Sequence, residues 1–245
     1  FSYEYTAMVS MRRDPLYNFD EFYRSFRPDM RVWGYIGYGM DEREISFAPW
    51  WFAAHRYGGF IWFSTLGIGY NLLDSPTLTL TQDAIDLKAT LSDSRLMDGI
   101  GKLMLEYNWL PRQAAIYYSH DSLLLSTLLG KEKLSYEVCK TGPLHDYMHS
   151  RQGAQYLLED LLYQHDFVAP EQVVAGALAD RRILFLPCIL ALSDAEVAAL
   201  KRFVRQGGRL VADRMPGDYD ELGVKRSVNP FAGLEGITVF GRNFD

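Results

Sequence analysis

Two kinds of side chain here could carry chemistry: a cysteine behind an apolar run, and carboxylates behind an aromatic one. Cys188 follows Arg182–Pro187 (RILFLP), which makes it a candidate nucleophile. A cysteine on a strained strand-to-helix turn needs small neighbours, as in Gly-x-Cys-x-Gly. Pro187, Ile189 and Leu190 stand there instead, which points to an inert thiol. Ser119-His120-Asp121 and His145-Asp146 have the residue types of a catalytic triad. Adjacent residues rarely converge on one point, because triads are assembled from separate loops, so both sets read as loop residues. Asp41 and Glu42 follow the aromatic run Arg31–Tyr38 (RVWGYIGY). They either reach a bound ligand from the loop or favour the positive end of the helix that follows. Trp33 and Tyr35 alternate along the run and share a face. They either stack on a ring of the ligand or fill a core, as does Trp62 in the run Phe60–Ser64 (FIWFS). Tyr38, nearer the end of its run, is a better candidate for a binding residue. Trp50, Trp51 and His55 lie in the intervening segment and read as packing residues.

The composition narrows the choice. The chain has 245 residues, 48% hydrophobic and 23% charged, with a net charge of -6, and so holds one large domain or two small ones. An acidic chain without a basic stripe is a poor nucleic-acid binder. The 14% aromatic share is high and gathers in the first 65 residues, a bias found in sugar-handling proteins and in aromatic cores alike. Two cysteines, Cys139 and Cys188, form neither a disulfide framework nor a zinc site. No phosphate loop and no HExxH-type metal spacing occurs, so no cofactor and no metal are expected. No apolar run reaches the roughly 18 residues that span a bilayer. The chain starts at Phe1 rather than Met, and we expect it to be a piece of a longer protein.

The elements that must position these residues alternate. Tyr5–Met11 is predicted as a strand, Phe19–Phe26 as a helix, Arg31–Tyr38 as a buried strand, Phe47–Tyr57 as a helix closed by Gly58-Gly59, and Phe60–Ser64 as a strand. This is the pattern of βα units on a parallel sheet. Leu66–Thr81 is a long loop. Ala84–Tyr107 is a long helix that Ser92 and Asp93 could interrupt. Leu110-Pro111-Arg112 marks a boundary between domains 1–110 and 111–245. Beyond it lie strands at Ala114–Ser119, Phe167–Val168, Arg182–Pro187, Arg209–Asp213 and Ile237–Phe240. A helix is predicted at Gln152–Gln164, and another runs from a Ser193 cap to Val204. Glu196 completes a capping box at that Ser193, and Gly207-Gly208 ends the helix.

The stretch Arg181–Gly223 resembles the trimerisation domain of family 42 glycoside hydrolases, the β-galactosidases of that family. The resemblance rests on Leu186-Pro187, Ser193, Gly207-Gly208, Ala212-Asp213 and the loop Arg214–Gly217. It implies a flavodoxin-like, doubly wound domain with the fold of class I glutamine amidotransferases, and no chemistry of its own. The preceding part resembles the end of a (β/α)8 barrel, with Tyr5–Met11, Arg31–Tyr38 and Phe60–Ser64 as strands six, seven and eight. The implied function is hydrolysis of O-glycosidic bonds by the full-length protein, with a carbohydrate substrate, a homo-oligomer (a trimer by resemblance) and a cytoplasmic setting. The acid/base of that family lies on strand four, upstream of Phe1. Its nucleophilic Glu at the end of strand seven is absent, which leaves Asp41 and Glu42 as the catalytic candidates and Trp33, Tyr35, Tyr38 and Trp62 as substrate-binding ones. This fragment alone is then inactive. The alternative is a carbohydrate-binding or assembly protein with a degenerate barrel. A glutamine amidotransferase-like enzyme using Cys188 ranks last.

Overall fold

The structure, a computed structural model, describes residues 25–26, 33–36, 42–62, 64–66, 71–107, 112–129 and 143–232. The strands expected at Tyr5–Met11 and Ile237–Phe240 lie outside the described residues, as does most of the Phe19–Phe26 helix. The fold is mixed α/β with parallel sheets. The chain forms two compact units, Phe1–Leu110 and Pro111–Asp245.

In the first unit, β1 (Trp33–Ile36) and β2 (Gly59–Trp62) pair in parallel, with Trp33 opposite Gly59 and Ile36 opposite Trp62. Parallel neighbours cannot be joined by a tight turn, and the helix α1 (Glu42–Ala54) makes the crossover. It begins earlier than the Phe47 expected from apolar spacing. Glu42 and Glu44 form its first turn, where carboxylates complement the helix dipole. Arg56, at φ +56°, ends it: the N–H of Arg56 donates to Ala53 C=O and that of Tyr57 to Phe52 C=O, a Schellman arrangement. The single long helix expected over Ala84–Tyr107 is three: α2 (Gln82–Leu91), α3 (Ser94–Met97) and α4 (Ile100–Glu106). Asp93 causes the first break, because its carboxylate accepts the Arg95 N–H and caps α3. The core of this unit is Ile36, Ile45, Ala48, Phe52, Tyr57 and Leu87, with Trp51, Phe60 and Trp62 packed against it.

In the second unit, four parallel strands lie in the order β4–β3–β5–β6, with β3 at Ala114–Tyr117, β4 at His165–Val168, β5 at Ile183–Leu186 and β6 at Arg209–Ala212. Helices α5 (His120–Leu129) and α6 (Pro143–Asp160) lead from β3 to β4. The short α7 (Pro170–Val174) leads to β5, and α8 (Asp194–Arg205) to β6. The expected capping box is present: Ser193 Oγ accepts the Glu196 N–H, and a Glu196 carboxylate oxygen accepts the Ser193 N–H at 2.7 Å. Gly207, at φ +95°, closes α8 where a Cβ would be strained. Two helices depart from expectation. His120 and Asp121 belong to α5 rather than to a loop, and α6 starts at Pro143 rather than Gln152. The main core cluster includes Tyr117, Leu184 and Leu186 on one face of the sheet, with Tyr147, Ile189, Leu192 and Leu200 packed with them.

The β1–α1 packing depends on Gly34, where a Cβ would collide with the Phe52 ring. Gly34→Ala should therefore destabilise the first unit by about 1–3 kcal/mol through overpacking. All five tryptophans precede residue 111, so denaturant titration followed by tryptophan fluorescence reads this unit separately.

Candidate functional site

In folds built on parallel strands, ligands meet the carboxyl ends of the strands, where the strand-to-helix loops gather. Each unit offers one such end.

In the first unit the two faces of the sheet differ. Gly34 lies against Phe52, and Phe60 stacks on Phe52 with ring centroids 5.5 Å apart, so Gly34, Ile36, Phe60 and Trp62 face α1. By alternation, Trp33 and Ile61 stand on the opposite face. They are 43% and 39% exposed. Trp33 lies over Gly59, whose position would put a Cβ 3.0 Å from the indole ring. The structure therefore separates two of the residues read as substrate-binding. Trp33 opens β1 at its amino end on the open face. Trp62 closes β2 at its carboxyl end on the helix side. Glu42 is exposed at the first position of α1. Tyr38, Asp41 and the Tyr35 side chain lie outside the described residues. Trp51 stacks on His55 with centroids 3.9 Å apart, and His55 sits just past the end of α1.

In the second unit the chain moves from β3 out to β4, then back across β3 to β5 and on to β6. The loops leaving β3 and β5 thus run to opposite faces and leave a crevice between them, the usual ligand position in such sheets. Here the protein's own side chains fill it. Tyr147 is fully buried; its hydroxyl donates to Ser119 C=O at 2.9 Å and accepts the Ser119 N–H at 3.2 Å. Ser122 Oγ accepts the N–H groups of Leu190 and Ala191 at 3.1 and 3.0 Å. Cys188 is 4% exposed and holds φ +48°, a left-handed conformation that a cysteine adopts at a cost. Asp213 offsets that cost: its Oδ1 accepts the Cys188 N–H at 2.8 Å, and its other oxygen accepts the Ser150 hydroxyl. Arg214 Nη1 lies 3.9 Å from the Cys188 Sγ. The turn at Cys188 is thus strained as a nucleophile turn is, but its sulfur is enclosed. Ser119, His120 and Asp121 do not converge. The Ser119 hydroxyl accepts the Ser122 N–H at 3.0 Å as α5 begins, and His120 is exposed. Burial, with the Glu196 charge second, holds the Asp121 carboxyl above its ordinary value.

Sequence reasoning missed Tyr147, Ser122 and the role of Asp213. Tyr147 lies where no helix was expected. Asp213 was part of a recognised motif, but only the fold shows that it reaches the loop after β5. Among the described residues, no group of three or more His, Cys, Asp or Glu is placed to hold a metal ion, and no helix is long and apolar enough to cross a membrane.

Two buried tyrosines make the second unit sensitive to alkali. Tyr117, whose hydroxyl donates to the buried Glu196, is pushed far above the ordinary tyrosine value, first by burial and then by the Glu196 charge. Burial also raises Tyr147. The folded state keeps protons that the unfolded chain releases near pH 10, so this stability is complete below about pH 10 and lost as pH rises further. Tyr117→Phe should lower stability at pH 7 by about 1–3 kcal/mol, because Glu196 loses a buried donor. It should also flatten the decline between about pH 9 and about pH 11.5. Urea midpoints followed by circular dichroism at several pH values check both.

No family model matches the chain, and no curated protein matches it. Solved structures do. A GH42 β-galactosidase from G. stearothermophilus, Gan42B, aligns over 93% of this chain with a TM-score of 0.62 and 15% identity, and its catalytic mutant form with 0.63 and 14%. A GH42 exo-carrageenase from Bacteroides ovatus aligns over 87% of this chain with a TM-score of 0.52 and 13% identity. The chain spans 33% of the length of the β-galactosidase structures and 28% of the carrageenase. At these identities the likeness is one of fold: the chain has the α/β fold of a stretch of GH42 glycoside hydrolases.

Proposed function

We propose that this chain is part of a family 42-like glycoside hydrolase, comprising the end of a (β/α)8 barrel (1–110) and a trimerisation domain (111–245), and that the whole protein hydrolyses β-galactoside bonds with water and no cofactor. The observation that carries this reading is the fold likeness to GH42 β-galactosidases over nearly all of the chain. The β1–α1–β2 unit supports the barrel assignment, since it has the parallel crossover from which such barrels are built. For the second domain, the parallel order β4–β3–β5–β6 supports a flavodoxin-like reading, matching the first four positions of the 2-1-3-4-5 order. The filled crevice around Tyr147 and Cys188 supports a structural rather than catalytic role for it. Asp41 and Glu42 are the catalytic candidates, and the carboxyl ends of β1 and β2 are the substrate-facing edge on this reading.

A second reading has its own support. Tyr35–Met40 contains no carboxylate, and Glu42 sits in the first turn of α1, where it stabilises the helix without touching a substrate. That favours a carbohydrate-binding or assembly protein with a degenerate barrel.

Hydrolysis of an aryl β-galactoside by the whole protein and by this chain separates the two. The whole protein should turn over and the chain alone should not. In the whole protein, Asp41→Asn or Glu42→Gln should lower kcat by at least about 100-fold at whichever position is catalytic. Galactoside binding without turnover would leave only the second reading standing.

A further inference from the structure

Four described residues other than glycine hold positive φ. Arg56 and Leu162 end helices, in each case with the paired Schellman bonds that make the conformation useful. Cys188 is held by Asp213. Leu78 stands in a hairpin turn, at φ +57°, and is 61% exposed. A leucine is costly in that backbone region, where asparagine or glycine is the easy choice, and an exposed leucine gains nothing from burial in return.

The hairpin is firmly built and firmly placed. Leu73 and Leu80 bridge antiparallel, the Asp74 N–H donates to Thr79 C=O, and the Leu78 N–H donates to Asp74 C=O, both at 2.8 Å. The Thr77 hydroxyl donates to Asp74 Oδ2 at 2.6 Å and lies 2.8 Å from the Thr79 hydroxyl. At the base, the N–H groups of Leu72 and Leu73 donate to the carbonyls of Ser64 and Thr65, directly beyond the carboxyl end of β2. The strained apolar tip is therefore carried by the end of the sheet at which barrel enzymes bind substrate. Backbone strain that the surroundings over-determine is a mark of functional positions.

We propose that Leu78 is a specificity residue, forming an apolar contact with the non-polar face of a sugar unit bound at the carboxyl end of the barrel strands. This rests on the glycosidase reading above. The contact is with a part of the substrate that does not react, so it acts on binding rather than on the chemical step.

The test uses the whole protein, with an aryl β-galactoside and lactose as probes. Leu78→Asn removes the apolar surface but suits the left-handed backbone, so its melting temperature should match or exceed that of the unchanged protein. Its KM for at least one probe should rise roughly tenfold with kcat little changed. Leu78→Met, which restores an apolar side chain, should keep KM within about twofold of the unchanged protein. Unchanged KM for both probes in Leu78→Asn would overturn the inference, as would equal losses in the Met and Asn variants. If the unchanged protein neither turns over nor binds either probe by calorimetry, the glycosidase reading itself fails, and the role of Leu78 falls with it.

Discussion

Every strand pair named in this structure is parallel, and that constraint arranges everything else. Parallel neighbours need a crossover, which in each unit is at least in part a helix. The crossover packs back on the sheet, so both faces of a complete sheet are covered and its strands become uniformly apolar. It also gathers all strand-to-helix loops at one end. Whatever either unit binds is expected at that end.

The two units use that end differently. In the second, Tyr147, Ser122 and Asp213 satisfy the backbone groups that the diverging loops leave unpaired, and the crevice closes as a hydrogen-bonded core. A buried hydroxyl or amide left without a partner would cost about 1–3 kcal/mol, so these side chains hold the loops rather than wait for a ligand. In the first unit, Trp33 and Ile61 present an apolar face to solvent, which a two-stranded sheet cannot bury by itself. Such a face fits a sheet that is continued by further strands.

The strands were legible because each writes a continuous apolar run, RVWGYIGY, FIWFS, AAIYYS and RILFLP, although of these only AAIYYS is buried on both faces among the described residues. The Ser193–Glu196 cap and the Gly207 stop were legible because each is a local device with one physical role. The helix α5 was not. Ser119-His120-Asp121 has the residue types of a catalytic triad, and that signal masked an ordinary helix start in which Ser119 caps Ser122. The site was less legible than the fold, because its partners are distant in sequence. Asp213 holds Cys188 across 25 positions, and Tyr147 holds Ser119 across 28. No local spacing encodes such a pair.

The same reasoning limits what Asp41 and Glu42 can do together. Glycoside hydrolysis needs two carboxyl groups on opposite sides of the scissile bond, roughly 5–9.5 Å apart. Asp41 and Glu42 are consecutive, and Glu42 opens α1. Two neighbours on one loop approach a substrate from one side, so at most one can serve, as nucleophile or as base. The other carboxyl must come from a different strand. Neither β1 nor β2 supplies it, since both lack an acidic residue. On the proposed glycosidase reading, a complete hydrolytic site therefore needs a carboxyl from an element other than β1 or β2.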